Sequence, residues 1–131
     1  MTTTYAVQRR FTRIFFTDKV NGILSSVENK QASFPATLLN ISEGGLQCRL
    51  QRFPQGKLQA NDHLILKQII DFPGLTLLTD IPLQIKWVMD NEHLDHVTIG
   101  AEFGELSKEQ HEILHSFVNS CLKLYQEEKS P

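Results

Sequence analysis

The feature of this sequence that most constrains its fold is a series of short stretches in which apolar and polar residues alternate. Between residues 45 and 50, Leu46, Cys48 and Leu50 alternate with Gln47 and Arg49, which is the pattern of a half-buried strand. Related patterns predict strands at residues 20–27, 33–41, 45–50, 62–70, 83–89 and 96–103. Short strands joined by turns favour a β-barrel or a sandwich over a βαβ sheet. Residues 75–79 are compatible with either a strand or a packed loop.

One helix is predicted after these strands, over about residues 107–126. Ser107 and Gln110 have the spacing of a capping box, in which each side chain bonds the backbone N–H of the other residue. The apolar residues that follow form one stripe at helical spacing: Ile113, Leu114, Phe117, Val118, Cys121, Leu122 and Tyr125. A stripe of this width covers one end or one side of a barrel.

Composition indicates one ordinary folded domain. The chain has 131 residues, of which 40% are hydrophobic and 21% are charged. We expect a flexible tail over residues 1–8, the barrel domain with its helix over residues 9–125, and a frayed tail over residues 127–131. The formal net charge of -2 argues against DNA or another long nucleic acid as a partner, although a local basic cluster can still bind a small anion.

The cysteines and the hydropathy indicate the expected environment. Cys48 and Cys121 each lie in an apolar pattern, so we expect reduced core thiols and a reducing, cytoplasmic setting. The sequence has no run of about 18 apolar residues, and no membrane insertion is expected.

Three arginines, Arg9, Arg10 and Arg13, lie within five residues near the N-terminus. Like charges this close repel each other, and such a cluster usually serves something anionic. Arginine suits phosphate and guanine because its planar fork donates in pairs and its face stacks on a base. The alternative is a solvated basic patch, or pairing with Asp18 and Glu43.

A polar turn at residues 40–45 is predicted to join two strands. Asn40 and Ser42 have side chains that can bond either their own backbone or the edge of a ligand. Gly44 or Gly45 can adopt a positive φ and allow close approach of a ligand to the backbone. The alternative is a tight strand-to-strand turn without a ligand.

Taken together, the two segments resemble the signature of PilZ domains. Arg9-x-x-x-Arg13 is followed by 26 residues and then by Asn40-x-Ser42-x-x-Gly45, which is similar to the RxxxR and [D/N]xSxxG pattern of these bacterial receptors for cyclic di-GMP. The segment Ile99-Gly-Ala-Glu-Phe103, followed by the helix start at Ser107, is similar to the end of the family's last strand and its helix. The resemblance covers about residues 8–125 and implies a mainly β fold, a six-stranded antiparallel barrel with a C-terminal helix.

The resemblance also implies a binding site. Arg9 and Arg13 would hold the phosphates and guanines of the dinucleotide, and Arg10 would extend the cluster. Asn40, Ser42 and Gly45 would meet a guanine and the ligand's backbone. Asn40 stands where Asp is commoner in the family, so its guanine contacts are expected to be weaker. Two further candidates are Gly44 and Trp87, the latter being either a stacking face or a barrel residue.

The segment His111-Glu112-Ile-Leu-His115 matches the HExxH zinc motif on a predicted helix. A catalytic zinc site also needs a third ligand and a cleft, and the candidates that follow, Glu127 and Glu128, fall in the predicted frayed tail. We therefore expect no metal site and no enzymatic activity. No cofactor is expected besides cyclic di-GMP as a ligand.

Two functions follow from these observations. The leading hypothesis is a cyclic di-GMP receptor and adaptor whose arginine segment becomes ordered on binding and which signals to an unidentified downstream protein. The alternative is a scaffold of the same fold that binds no nucleotide and acts by protein–protein contacts in pilus or motility machinery.

Overall fold

The computed structural model describes residues 11–28, 32–52 and 57–129, with side chains up to residue 124. The described residues form six strands and one helix. The strands are β1 (Ile14–Ser26), β2 (Ser33–Ile41), β3 (Gly45–Gln51), β4 (His63–Ile70), β5 (Ile81–Met89) and β6 (His96–Phe103), and the helix is α1 (Lys108–Lys129). All six predicted strands are confirmed. Residues 75–79 belong to a loop with turns and not to a strand.

Some boundaries differ from the predicted ones. β1 begins at Ile14 and not at residue 20, because Ile14 and Phe16 pack against the core there. Asp18 and Lys19 interrupt the apolar alternation of this stretch, and this interruption hid its strand character. The helix ends at Lys129, past the predicted end near residue 126. The predicted tail at residues 1–8 lies outside the described residues.

The strands close into an antiparallel barrel in the order β1-β2-β3-β6-β5-β4. This architecture confirms the predicted fold class. β3 pairs with β6 and not with β4, and its first residue, Gly45, lies opposite Glu102. The turn between β2 and β3 is therefore placed beside the end of β6, with β5 as the next strand.

The barrel interior is filled by the apolar residues of the alternating pattern. Along β3, Leu46, Cys48 and Leu50 point inwards and are buried. Each buried aliphatic side chain contributes about 1.5–3 kcal/mol relative to an exposed one. Leu75 and Leu78 in the loop of residues 71–80 are also fully buried. The loop is thus part of the core, which explains its apolar composition without a strand.

The helix covers one end of the barrel through Leu114 and Val118, which are buried. The predicted capping box is confirmed: Ser107 N–H donates to Gln110 Oε1 at 2.9 Å, and Gln110 N–H donates to Ser107 Oγ at 3.1 Å. Gln110 Nε2 also donates to the carbonyl of Thr79 at 2.9 Å, which ties the first turn of α1 to the loop of residues 71–80.

Three phenylalanines join the helix to the beginning of β1. The ring centroid of Phe72 lies 5.3 Å from that of Phe16 and 5.5 Å from that of Phe117, both in edge-to-face geometry. Such pairs add about 0.5–1.5 kcal/mol beyond their buried area. Phe16 follows Arg13 by three residues, so this cluster anchors the strand that leaves the arginine segment.

Both cysteines are free thiols. Cys48 is fully buried in the core, and burial raises the pKa of its thiol to about 12. Cys121 is half-buried on α1. Within the described part of the chain, no helix has the length and apolar character needed to cross a membrane.

Candidate ligand-binding cleft

The two sequence motifs meet in the structure through Arg13 and Asn40. Register brings them together, because Ile14 lies opposite Ile41 and Phe15 lies opposite Asn40 in the β1–β2 ladder. Arg13 Nη1 donates to Asn40 Oδ1 at 2.6 Å. Partial burial lowers the pKa of the Arg13 guanidinium from its ordinary value. Arg9 and Arg10 lie outside the described residues, so their predicted role stays a prediction.

Asn40 belongs to a row of directly paired residues on the outward-facing side of the barrel wall, although Asn40 itself is buried. The pairing runs across five strands, from Phe15 to Asn40, Gln47, Gly100 and Trp87. Asn40 Nδ2 donates to Gln47 Oε1 at 2.9 Å, so the amide of Asn40 is held on both sides. Gln47 was not predicted as a site residue. The alternation of apolar and polar residues in β3 predicts that Gln47 points outwards, but it does not predict which strands pair with β3.

The turn between β2 and β3 is built around the hydroxyl of Ser42, which is buried. Ser42 Oγ accepts from Gly44 N–H at 3.1 Å and from Gly45 N–H at 3.2 Å. The backbone N–H of Ser42 donates to the carbonyl of Gly45 at 2.8 Å. Of the two roles considered for Ser42, the structure shows the bond to its own backbone.

The glycines of this turn are required for space and not for a left-handed backbone. Neither Gly44 nor Gly45 uses the positive φ that glycine permits; among the described glycines, Gly74 has one. A Cβ on Gly45 would collide with the carbonyl oxygen of Ala101 across the β3–β6 ladder. A Cβ on Gly44 would lie 2.5 Å from Cδ2 of Phe11, whose ring covers that glycine.

Trp87 covers the other side of this surface. A Cβ on Gly100 would collide with the Trp87 ring, which shows that the indole lies directly over Gly100. The Trp87 side chain is 37% exposed and is outside the barrel core. The register shifts between Ile85 and Trp87, and this bulge places Lys86 on the outer surface next to Trp87. Lys86 Nζ lies 3.3 Å from Gln84 Oε1 and 3.9 Å from Glu102 Oε2.

These elements enclose a cleft of about 500 Å³, which is within the range of small-molecule sites. Its walls comprise Phe11, Arg13, Ser42, Glu43, Gly44, Gly45, Lys86, Trp87, Gly100, Ala101, Glu102, Phe103, Gly104, Leu106 and His111. The predicted site residues Arg13, Ser42, Gly44, Gly45 and Trp87 are thus brought together, and Asn40 holds Arg13 at the rim. Phe11, Lys86 and His111 were missed, because nothing in their local sequence places them near residues 40–45.

The two histidines of the HExxH segment lie on the face of α1 towards the turn. His111 contributes to the wall of the cleft. His115 Nδ1 lies 3.0 Å from Glu43 Oε1, and Asn119 Nδ2 lies 2.9 Å from His115 Nε2. Among the residues that the structure describes, no group of three or more His, Cys, Asp or Glu side chains could hold a metal ion. Glu43, which was considered as a partner for the arginines, contacts His115.

Comparison with solved structures shows the same fold in known proteins. The PilZ domain of Escherichia coli YcgR with c-di-GMP aligns with a TM-score of 0.65 at 14% identity, covering 92% of this chain and 96% of that chain. The K. pneumonia MrkH–c-di-GMP complex aligns with a TM-score of 0.71 at 14% identity, covering 92% of this chain and 55% of that chain. The Bacillus subtilis inhibitor of motility, MotI/DgrA, aligns with a TM-score of 0.63 at 14% identity, covering 93% and 53%. The chain therefore spans about half the length of MrkH and of MotI.

No curated protein matches the chain by sequence. The family model of the PilZ domain matches residues 8–120, which include both motif segments, all six strands and most of α1. The chain belongs to the PilZ domain family.

Proposed function

We propose that this chain is a cyclic di-GMP receptor whose ligand occupies the cleft between the β2–β3 turn and Trp87. The observation that carries the proposal is the bond from Arg13 to Asn40, which joins the two family motifs at the rim of that cleft. The ligand's two phosphates need cationic donors, and Arg13 and Lys86 both line the cleft. Arg9 and Arg10 would complete the cluster.

The aromatic side chains of the cleft fit the ligand's bases. Phe11 and Trp87 lie over Gly44 and Gly100, so they present ring surfaces on two sides of the cleft. Guanine has a flat π-face, and stacking on an aromatic side chain is worth about 1–3 kcal/mol per base. Gly44 and Gly45 contribute only backbone to the same wall of the cleft, because they have no side chains. Asn40 and Ser42 hold this turn in place through their hydrogen bonds.

The signal would be the ordering of the arginine segment across the cleft, read by a downstream protein. Binding neutralises the mutual repulsion of Arg9, Arg10 and Arg13, and the segment gains phosphate contacts at the same time. We expect amide exchange over residues 5–14 to slow when ligand is bound. Exchange that stays fast at saturating ligand would contradict this mechanism.

The receptor function is tested by calorimetric titration of cyclic di-GMP at fixed salt. Charge-assisted hydrogen bonds are worth about 1.5–3 kcal/mol, so Arg13→Ala should weaken binding by about tenfold or more. Lys67→Ala is the matched control, because Lys67 lies on β4, outside the cleft, and its contact with Asp80 at 3.3 Å is exposed. Absence of binding by the intact chain would favour the nucleotide-independent scaffold.

A further inference from the structure

We propose that His115 is a positioning residue for the cleft, because it holds the Glu43 carboxylate and keeps that negative charge from opposing an anionic ligand. This inference rests on the proposed function. It gives a role to His115 of α1, which neither the metal motif nor the family motifs explain.

The location of Glu43 makes such a device necessary. Glu43 lies in the middle of the β2–β3 turn, between Ser42 and Gly44, and it lines the cleft. Its side chain is 29% exposed. An unpaired carboxylate beside bound phosphates would repel them, and near a protein surface this repulsion is only partly screened.

The hydrogen bonds around His115 fix how it meets Glu43. The amide nitrogen of Asn119 lies 2.9 Å from Nε2 of His115, and an amide nitrogen can only donate. With the Asn119 amide in this orientation, Nε2 accepts, and Nδ1 donates to Glu43 Oε1 at 3.0 Å. The carboxylate thus has a donor on α1, and it is oriented by a residue that is not part of the cleft wall.

The helix that supplies His115 is itself held firmly. Leu114 and Val118, on either side of His115, are buried. Phe117 contacts Phe72 and Phe16, and Phe16 lies on β1 just after the arginine segment. The part of α1 that carries the donor to Glu43 is therefore held in place, although the His115 side chain is itself 62% exposed.

Titration of cyclic di-GMP into the intact chain and five variants tests the proposal. We expect His115→Ala to weaken binding by about five- to tenfold, because the Glu43 charge then faces the ligand. In a Glu43→Gln background, where no carboxylate charge remains to be held away from the ligand, His115→Ala should have no effect on affinity. His115→Gln should restore most of the affinity, since its amide can donate to Glu43. His93→Ala, in the exposed turn after β5, should bind like the intact chain.

Two results would overturn the proposal. One is unchanged affinity in His115→Ala, and the other is an equal loss in the Glu43→Gln background. A ligand-independent measurement separates this proposal from the receptor function: amide exchange at Gly44 and Gly45 should be faster in His115→Ala than in the intact chain, and His115→Gln should reverse it. If the intact chain binds no cyclic di-GMP, the receptor function fails, and unchanged exchange at these two amides would refute the contact's positioning role as well.

Discussion

Arg13 Nη1 donates to Asn40 Oδ1 at 2.6 Å, across a separation of 27 residues in the sequence. The same amide donates through Nδ2 to Gln47 Oε1 at 2.9 Å. Asn40 therefore orients the last arginine of the first motif and is itself oriented by β3. The position of the Arg13 guanidinium therefore depends on the neutral amide of Asn40, at a position where aspartate is commoner in the family.

Replacing Asn40 by aspartate should test how much the absence of a negative charge at this position lowers the affinity for cyclic di-GMP. The carboxylate of Asn40→Asp would pair more strongly with Arg13, and the amide of Gln47 can rotate to donate to it. We expect cyclic di-GMP affinity to rise by about threefold or more, since a charged acceptor holds the Arg13 guanidinium more firmly at the cleft. Calorimetry compares the variant with Asn91→Asp, which adds the same charge in an exposed turn. Weaker binding by Asn40→Asp alone would contradict this expectation.

Ser42→Ala should destabilise the fold as well as the site. The buried hydroxyl accepts from the N–H groups of Gly44 and Gly45, and its loss leaves those donors without this partner. We expect the free energy of unfolding to fall by about 1–3 kcal/mol in urea denaturation. Ser26→Ala is a matched control, because the Ser26 hydroxyl also accepts from a backbone N–H, that of Glu28, but in an exposed position. Equal losses in the two variants would show that burial of the Ser42 turn is unimportant.

Trp87 should report ligand binding directly, since it is the one tryptophan of the sequence. Stacking of a base on the indole should change its fluorescence, and Trp87→Ala should weaken binding by about tenfold or more. Gly100→Ala should have a related effect, because the added Cβ displaces the ring. Thr98→Ala, two residues away on the same face of β6, serves as the control. Saturable binding without any change in fluorescence would contradict contact between Trp87 and the ligand.

Alkaline pH should destabilise the protein through Cys48. Its pKa is about 12 in the folded protein and 9.0 ordinarily, so the thiol is protonated in both states below pH 9. Between pH 9 and 12 the unfolded chain loses this proton and the folded chain keeps it, so stability falls as pH rises. The slope from this group approaches about 1.4 kcal/mol per pH unit. Urea denaturation at pH 8 and pH 10.5 should show a steeper loss for the intact chain than for Cys48→Ala, and identical losses would refute this account.

Leu114→Ala should show how much the helix contributes to the barrel. Leu114 is fully buried between α1 and the strands, and removal of such a side chain costs about 2–5 kcal/mol. Leu124→Ala lies on the same helix, but its side chain is 60% exposed, so its effect should stay within about 0.5 kcal/mol. The comparison uses thermal or urea unfolding. A similar loss in both variants would indicate that the helix acts through propensity and not through packing.

The strands could be predicted from the sequence because each one alternates core and surface residues, as Leu46, Gln47 and Cys48 do. The helix could be predicted because its capping box and apolar stripe are local signals. β1 was predicted too short, since its first residues carry charges at Asp18 and Lys19.

The candidate site was predicted mostly at motif positions, with Gly44 and Trp87 as the predicted cleft residues outside them. Arg13, Ser42 and Gly45 are motif positions, and the structure brings them to one cleft. Lys86 and His111 reach the same cleft from a bulge of β5 and from α1, and both depend on pairing between distant strands and on helix packing. Local sequence patterns contain neither the strand order nor the register shift, so these residues could not be assigned from them.

The candidate binding surface and the core occupy opposite faces of the same strands. On β3, Gln47 points to the binding surface, while Leu46 and Cys48 on either side of it point to the interior. On β5, Trp87 likewise lies on the outer face, while Ile85 points to the interior. Substitutions can therefore accumulate on the outer face without changing the residues that hold the barrel together. A lineage with this architecture is free to retune, exchange or abandon its ligand during evolution while the folded domain persists.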